Sequence, residues 1–201
     1  MELLNLFRKK KANKTGNPVI DFYNRIDEDG RLTKKSRMPE YLNTIKYIEK
    51  YLTPNSKILE IGAGTGRYSL ALAEKGCNVT SVELVPHNID IMKKKIKPEH
   101  KIEVHEGNAC DLSFLKDNTF DIVLLLGPMY HLFNTEDKHK ALSEAIRVAK
   151  KGAVIYVSYC NNDTSMYKFF YTHRVLKYLE EGLIKEDYHT ASAPAQIFEL
   201  Y

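Results

Sequence analysis

The sequence predicts an α/β fold in which a parallel sheet is doubly wound, with helices on both of its faces. Three observations predict it. Short apolar runs alternate with amphipathic stretches from residue 57 onward; a glycine-spaced turn, Glu60-Ile61-Gly62-Ala63-Gly64-Thr65-Gly66, joins the first such run to a helical pattern; and Glu83 closes the next run with a carboxylate. Parallel strands joined through helices need crossover connections, which are right-handed and leave ligands outside the carboxyl ends of the strands.

In chain order, Met38, Tyr41, Leu42, Ile45, Ile48 and Leu52 recur at helical spacing and stop before Thr53-Pro54-Asn55, which predicts an amphipathic helix leading into the sheet. Lys57 to Ile61 reads as the first strand, Arg67 to Glu74 as a helix closed by Gly76, and Asn78 to Glu83 as the second strand. Pro86 opens a helix that must end before Pro98, and Lys101 to His105 makes the third strand. Phe120 to Leu126 reads as the fourth strand, its unbroken apolar run from Ile122 being what a strand buried on both faces requires. Glu136 to Ala149 follows as a helix closed by Gly152, and Ala153 to Tyr159 is the fifth strand.

Composition sets the outer bounds. At 201 residues, 43% hydrophobic and 28% charged, the chain suits one domain, residues 1–201. Within it lie a basic arm and lid helices (1–52), a cofactor-binding core (53–160) and a helical segment (161–201). Three scattered cysteines, Cys77, Cys110 and Cys160, suit a reducing cytoplasm, and none pairs with histidine at zinc-ligand spacing, so no metal is expected. The longest wholly apolar run, Ile122 to Leu126, is too short for a bilayer, and the basic cluster follows Leu3, Leu4 and Leu6 instead of preceding them as in a signal peptide. The net charge of +4 is concentrated in Arg8, Lys9, Lys10, Lys11 and Lys14. No nucleic-acid-binding signature accompanies that arm, so RNA is a minor expectation beside a small molecule.

The glycine turn decides the ligand class. Nicotinamide and flavin folds favour G-x-G-x-x-G, which sets a pyrophosphate against a helix N-terminus. Here the order is E-x-G-x-G-x-G with an acidic residue before the first glycine, a pattern suited to a cofactor with a cationic amino-acid tail and no phosphate. On this turn, on Glu83, on Gly107-Asn108-Ala109-Cys110-Asp111 and on Phe120 through Leu132, the chain resembles the class I S-adenosylmethionine-dependent methyltransferases over roughly residues 38–160. The Gly127-Pro128-Met129-Tyr130-His131-Leu132 segment looks like that of a bacterial small-molecule subgroup. The resemblance implies a Rossmann-like fold, S-adenosylmethionine as cofactor and methyl transfer as the reaction class, without supplying the acceptor; an O or N atom of a small molecule is the expectation. It also implies a C-terminal hairpin of strands six and seven, for which residues 161–201 show no pattern; the resulting open edge at strand five is a weak reason to expect a homodimer.

Carried onto these residues, the resemblance places Gly62, Ala63, Gly64 and Gly66 around the methionine portion, Glu60 at the loop or the amino group, Glu83 at the ribose hydroxyls and Leu84 beside adenine. Asn108 and Ala109 fall at the adenine edge, with Asn108 equally readable as a turn residue and Asp111 as a cap. Gly127 stands where amino-methylating relatives carry Asn or Asp, leaving only its backbone carbonyl for an acceptor. Tyr130 lines the acceptor site or packs over the cofactor, and His131 is the best-placed general base, against a structural hydrogen-bonding role. Tyr23, Arg31, Arg37 and Tyr41 belong to a lid, with Arg37 the candidate for the methionine carboxylate and surface placement the alternative. Two further readings stay open: a cofactor-binding module without turnover, and an RNA methyltransferase using the basic arm.

Overall fold

The computed structural model describes residues 15–30, 35 and 37–159. Its elements are α1 (Pro18–Tyr23), α2 (Met38–Glu49), β1 (Lys57–Ile61), α3 (Arg67–Glu74), β2 (Asn78–Glu83), α4 (Pro86–Lys93), β3 (Ile102–Glu106), β4 (Phe120–Leu125), α5 (Thr135–Val148) and β5 (Ala149–Val157), with a 3₁₀ turn at Pro128–Tyr130. The strands form one sheet in the order β3-β2-β1-β4-β5, and every pairing is parallel. The order reverses beside β1, which opens a crevice between β1 and β4 at their carboxyl ends.

Alternation along the central strands explains why both faces are buried. Ile58, Ile122 and Leu124 pack on one side with Ile45 and Ile48 of α2 and Leu72 of α3. Leu59, Ile61, Val123 and Leu125 pack on the other with Ala141, Ala145 and Val148 of α5. Successive side chains of a strand point to opposite faces, so a strand sandwiched between helix layers must be apolar at every position. Local signals fix the helix ends: Asn17 accepts from the Val19 and Ile20 amides ahead of Pro18, and Asn134 accepts from the Asp137 amide at 2.7 Å. Arg147, in the last turn of α5, ties down the segment before β4 by donating to the Leu112 and Leu115 carbonyls at 2.8 and 2.9 Å while pairing with Glu144 and Asp117.

The fifth strand corrects the sequence reading. β5 begins at Ala149, immediately after α5, and takes in Gly152, which had been read as the stop of the helix. Phe120 pairs with Ala149 but Ile122 pairs with Val154, so β5 carries three more residues than β4 across that step. Gly152, at φ 83°, allows the bulge, and Lys150 is held there by Asp121 at 2.6 Å. The basic arm, Arg31, Cys160 and the expectations placed on 161–201, including the missing hairpin and the open edge, lie outside the described residues. Among the described residues no helix is long and apolar enough to cross a membrane.

Candidate active site

A cavity of about 250 Å³ occupies the crevice at the carboxyl ends of β1, β2 and β4. Its floor is the glycine turn, Glu83 and Leu84; one wall is Asn108 and Ala109, and another runs from Leu126 to Leu132. Asn17, Val19, Tyr23, Glu28 and Asp29 of the N-terminal segment line it as a partial roof. That volume lies just below the usual range of about 300–1,000 Å³ for ligand sites.

The turn is held by the strand beside it. Gly62 and Ala63 both donate to the Val82 carbonyl, at 2.8 and 3.1 Å, and Gly64 donates to Glu83 Oε2 at 2.7 Å. Gly62, at φ 74°, lies so close to Pro128 that a Cβ would come within 2.7 Å of its ring, so the two turns that flank the crevice touch through a glycine. Glu83 is 5% exposed, and its other oxygen accepts from the Val85 amide at 2.9 Å and Asn88 Nδ2 at 3.3 Å. Burial raises its pKa, opposed by the three donors from Gly64, Val85 and Asn88. A carboxylate offers about four acceptor positions, so Glu83 keeps capacity for a ligand hydroxyl while serving as part of the loop's own scaffold.

Glu60 sits beneath the turn and is 2% exposed. Its carboxyl accepts from Ser69 Oγ, which lies 2.7 Å from Ser81 Oγ; both serines are fully buried. Burial is the largest cause pushing Glu60 from the ordinary 4.5 up to about 8, with Ser69 opposing and the nearby Glu83 charge adding to it. At neutral pH the carboxyl is therefore largely protonated, and a cation brought to the cavity would favour its ionised form.

Elsewhere on the lining, Tyr23 Oη lies 2.8 Å from His131 Nε2, and the His131 ring also meets Tyr130 at 4.7 Å between centroids. The bond joins α1 to the turn after β4 across 108 residues of chain. Lys95 fixes the roof at a second point through its ion pair with Asp29.

Most of the sequence-predicted site residues come together in this cavity: Glu60, Gly62, Ala63, Gly64, Glu83, Leu84, Asn108, Ala109, Gly127, Tyr130 and His131 all line it. Asn108 Oδ1 also accepts from the Cys110 amide at 3.0 Å, and Asp111 caps the next turn through the Ser113 amide, so both turn roles read from the sequence are present. Two residues are not brought there. Gly66 forms the N-cap of α3 at φ 83° and packs on buried Met92, away from the wall. Arg37 lies off the wall with its guanidinium 3.5 Å from Glu40. The arginine that does line the cavity is Arg67, whose sequence signal is its place directly after the glycine turn; side chains in a first helical turn lean back toward the N-terminus. Because a Cβ on Gly66 would stand 2.5 Å from Met92 Cγ, Gly66→Ala is expected to cost about 1–3 kcal/mol of stability in urea denaturation.

The family model of the methyltransferase domain matches residues 59–157. The chain is 32% identical over 116 residues to a demethylmenaquinone methyltransferase of Lysinibacillus sphaericus, covering 56% of this chain and 47% of that one. It is 34% identical over 101 residues to a cypemycin N-terminal methyltransferase of a Streptomyces species, covering 50% and 40%. Among solved structures, an S-adenosylmethionine-dependent methyltransferase of Methanosarcina mazei superposes with a TM-score of 0.55 at 27% identity, covering 72% of this chain and 74% of that one. Residues 59–157 are a class I S-adenosylmethionine-dependent methyltransferase domain. The chain spans less than half the length of these two curated relatives. The methyltransferase domain contains the glycine turn, Glu83, Asn108 and the Gly127–His131 turn, while the roof residues Asn17 to Asp29 precede it.

Proposed function

We propose that the chain is a cytoplasmic bacterial enzyme that transfers the methyl group of S-adenosylmethionine to an O or N atom of a small molecule. The observation that carries this reading is the bonding of Glu83 to the glycine turn: a buried carboxylate and a left-handed backbone face one cavity that a tyrosine–histidine pair also lines. The residues fit the cofactor chemically. Glu83 has acceptor capacity for a ribose hydroxyl, Leu84 and Ala109 offer apolar surface for a base, and Glu60 stands ready to ionise beneath a cationic tail.

When bound, the cofactor supplies an electrophilic methyl on a sulfonium, and alignment with exclusion of water is what the protein must add, an effect that reaches roughly 7–11 kcal/mol. Val19, Tyr23 and Glu28 line the cavity from the N-terminal side and narrow its access to solvent. His131 and Tyr23 take the acceptor proton: with 2.8 Å between Nε2 and Oη, a proton released to either atom is shared with the other. His131→Gln and Tyr23→Phe are each expected to slow transfer to an accepted substrate by about 10²-fold or more while changing S-adenosylhomocysteine affinity less than about threefold. Calorimetry with S-adenosylhomocysteine followed by a radiolabelled-methyl screen over phenol, amine and carboxylate acceptors tests the reading. Binding without transfer to any class would favour a non-catalytic module, and no binding by the folded chain would sink the proposal.

A further inference from the structure

We propose that Arg67, stacked on Tyr41, recognises the carboxylate of the cofactor's amino-acid tail. The inference rests on the cofactor reading above and assigns a residue that the sequence did not single out. Among the described residues of the wall, Arg67 is the one lysine or arginine, and it faces five carboxyl side chains: Glu28, Asp29, Glu40, Glu60 and Glu83. Even so, it makes no ion pair or side-chain hydrogen bond with any described residue. Asp29, the acid whose charge it feels, is engaged by Lys95.

Arg67 Nε is buried and donates to no atom. A buried donor with no acceptor is costly, although Arg67 as a whole is only partly buried. The cost is removed when a ligand brings an anion to the cavity, and the remaining question is which anion. The position answers it. Arg67 follows Gly66 directly, so its backbone continues the turn that the cofactor reading sets around the methionine portion, and its side chain lines the same cavity. An anion met there belongs to the cofactor's tail, whose ammonium would lie toward Glu60.

Tyr41 fixes the guanidinium. The Arg67 Cζ stands 4.5 Å from the Tyr41 ring centroid, and Tyr41 in turn packs 5.4 Å from the ring of buried Tyr68. A planar guanidinium stacked on an aromatic face keeps its fork directed at one place, and a lysine ammonium cannot reproduce that. Tyr41 acts through Arg67 and is a positioning residue.

Calorimetric titration of the full chain with S-adenosylhomocysteine and with 5′-methylthioadenosine, which keeps the nucleoside and sulfur but lacks the amino-acid tail, tests the assignment. Arg67→Ala is expected to weaken S-adenosylhomocysteine binding about 30- to 100-fold, the worth of one or two charge-assisted hydrogen bonds, and to change 5′-methylthioadenosine binding less than about threefold. Retained 5′-methylthioadenosine binding also shows that the variant is folded. Arg67→Lys is expected to recover only part of the loss. Tyr41→Leu should reproduce a fraction of it for the tailed ligand alone, and Tyr41→Phe should restore the wild-type value. Equal weakening of both ligands, or no change for S-adenosylhomocysteine, would overturn the proposal. A wild-type chain that binds neither ligand would overturn the cofactor reading and this one with it.

Discussion

Glu83→Ala is expected to lower S-adenosylhomocysteine affinity by at least about 100-fold and to destabilise the free protein by about 2–4 kcal/mol. The two effects have separate origins. Binding suffers because the carboxylate is the wall's acceptor at the carboxyl end of β2, where each charge-assisted hydrogen bond to a ribose hydroxyl contributes on the order of 1.5–3 kcal/mol. Stability suffers because the Gly64 and Val85 amides lose their acceptor within a buried region, and each orphaned donor costs about 1–3 kcal/mol. Glutamine is not a neutral replacement, since whichever way its amide is turned, one NH₂ faces an N–H donor from Gly64 or Val85. Glu83→Gln should therefore lose affinity nearly as far as alanine. Calorimetry and urea denaturation on the same variants separate the two effects, and affinity within threefold of wild type for Glu83→Ala would refute the assignment.

Glu60→Gln is expected to make the free protein more stable than wild type at pH 9 by about 3–5 kcal/mol, with the advantage gone by about pH 5. The sign follows from the raised pKa. The folded protein holds a proton on Glu60 up to about pH 8 that the unfolded chain releases near the ordinary 4.5. Between those values the native state binds more protons, so stability falls as pH rises and levels off above about 8. Each pH unit of that window corresponds to about 1.4 kcal/mol at full effect. Ser69 and Ser81 are neutral and Glu83 is the facing charge; since Glu83 is present in both proteins, the difference between wild type and Glu60→Gln isolates residue 60. Glutamine retains an oxygen for the Ser69 hydroxyl, so packing is conserved. Urea denaturation at three pH values measures the effect, and a wild-type-minus-variant difference that does not change with pH would rule it out.

The sheet and its crossovers were legible because glycine, proline and carboxylate punctuation coincide with changes of hydrophobic period. β1, β2 and α3 begin and end where the sequence places them, since Pro54, Gly76 and Pro86 act locally. β5 was legible only in part. Lys150, Lys151 and Gly152 look like a helix end, and only the pairing of Phe120 with Ala149 and the Asp121 contact, both long-range, turn them into strand. The site shows the same division. The glycine turn, Glu83 and the Tyr130-His131 step carry their chemistry in their spacing. The choice between Arg37 and Arg67 does not: Arg67 reaches the cavity stacked on Tyr41 while Arg37 turns to Glu40, and both partners belong to α2, whose docking is long-range. The partnership of Tyr23 with His131 was unreadable for the same reason, although each residue had been noticed separately.

The three backbone donations that fix the glycine turn, from Gly62 and Ala63 to the Val82 carbonyl and from Gly64 to Glu83, are made within the protein itself. The turn is preorganised. A ligand entering it does not have to order those residues, at about 1–2 kcal/mol of backbone entropy apiece, and that saving appears directly as affinity. The thermal stabilisation conferred by S-adenosylhomocysteine should then follow the simple mass-action relation for one site, without the larger heat-capacity change that accompanies folding of a loop on its ligand.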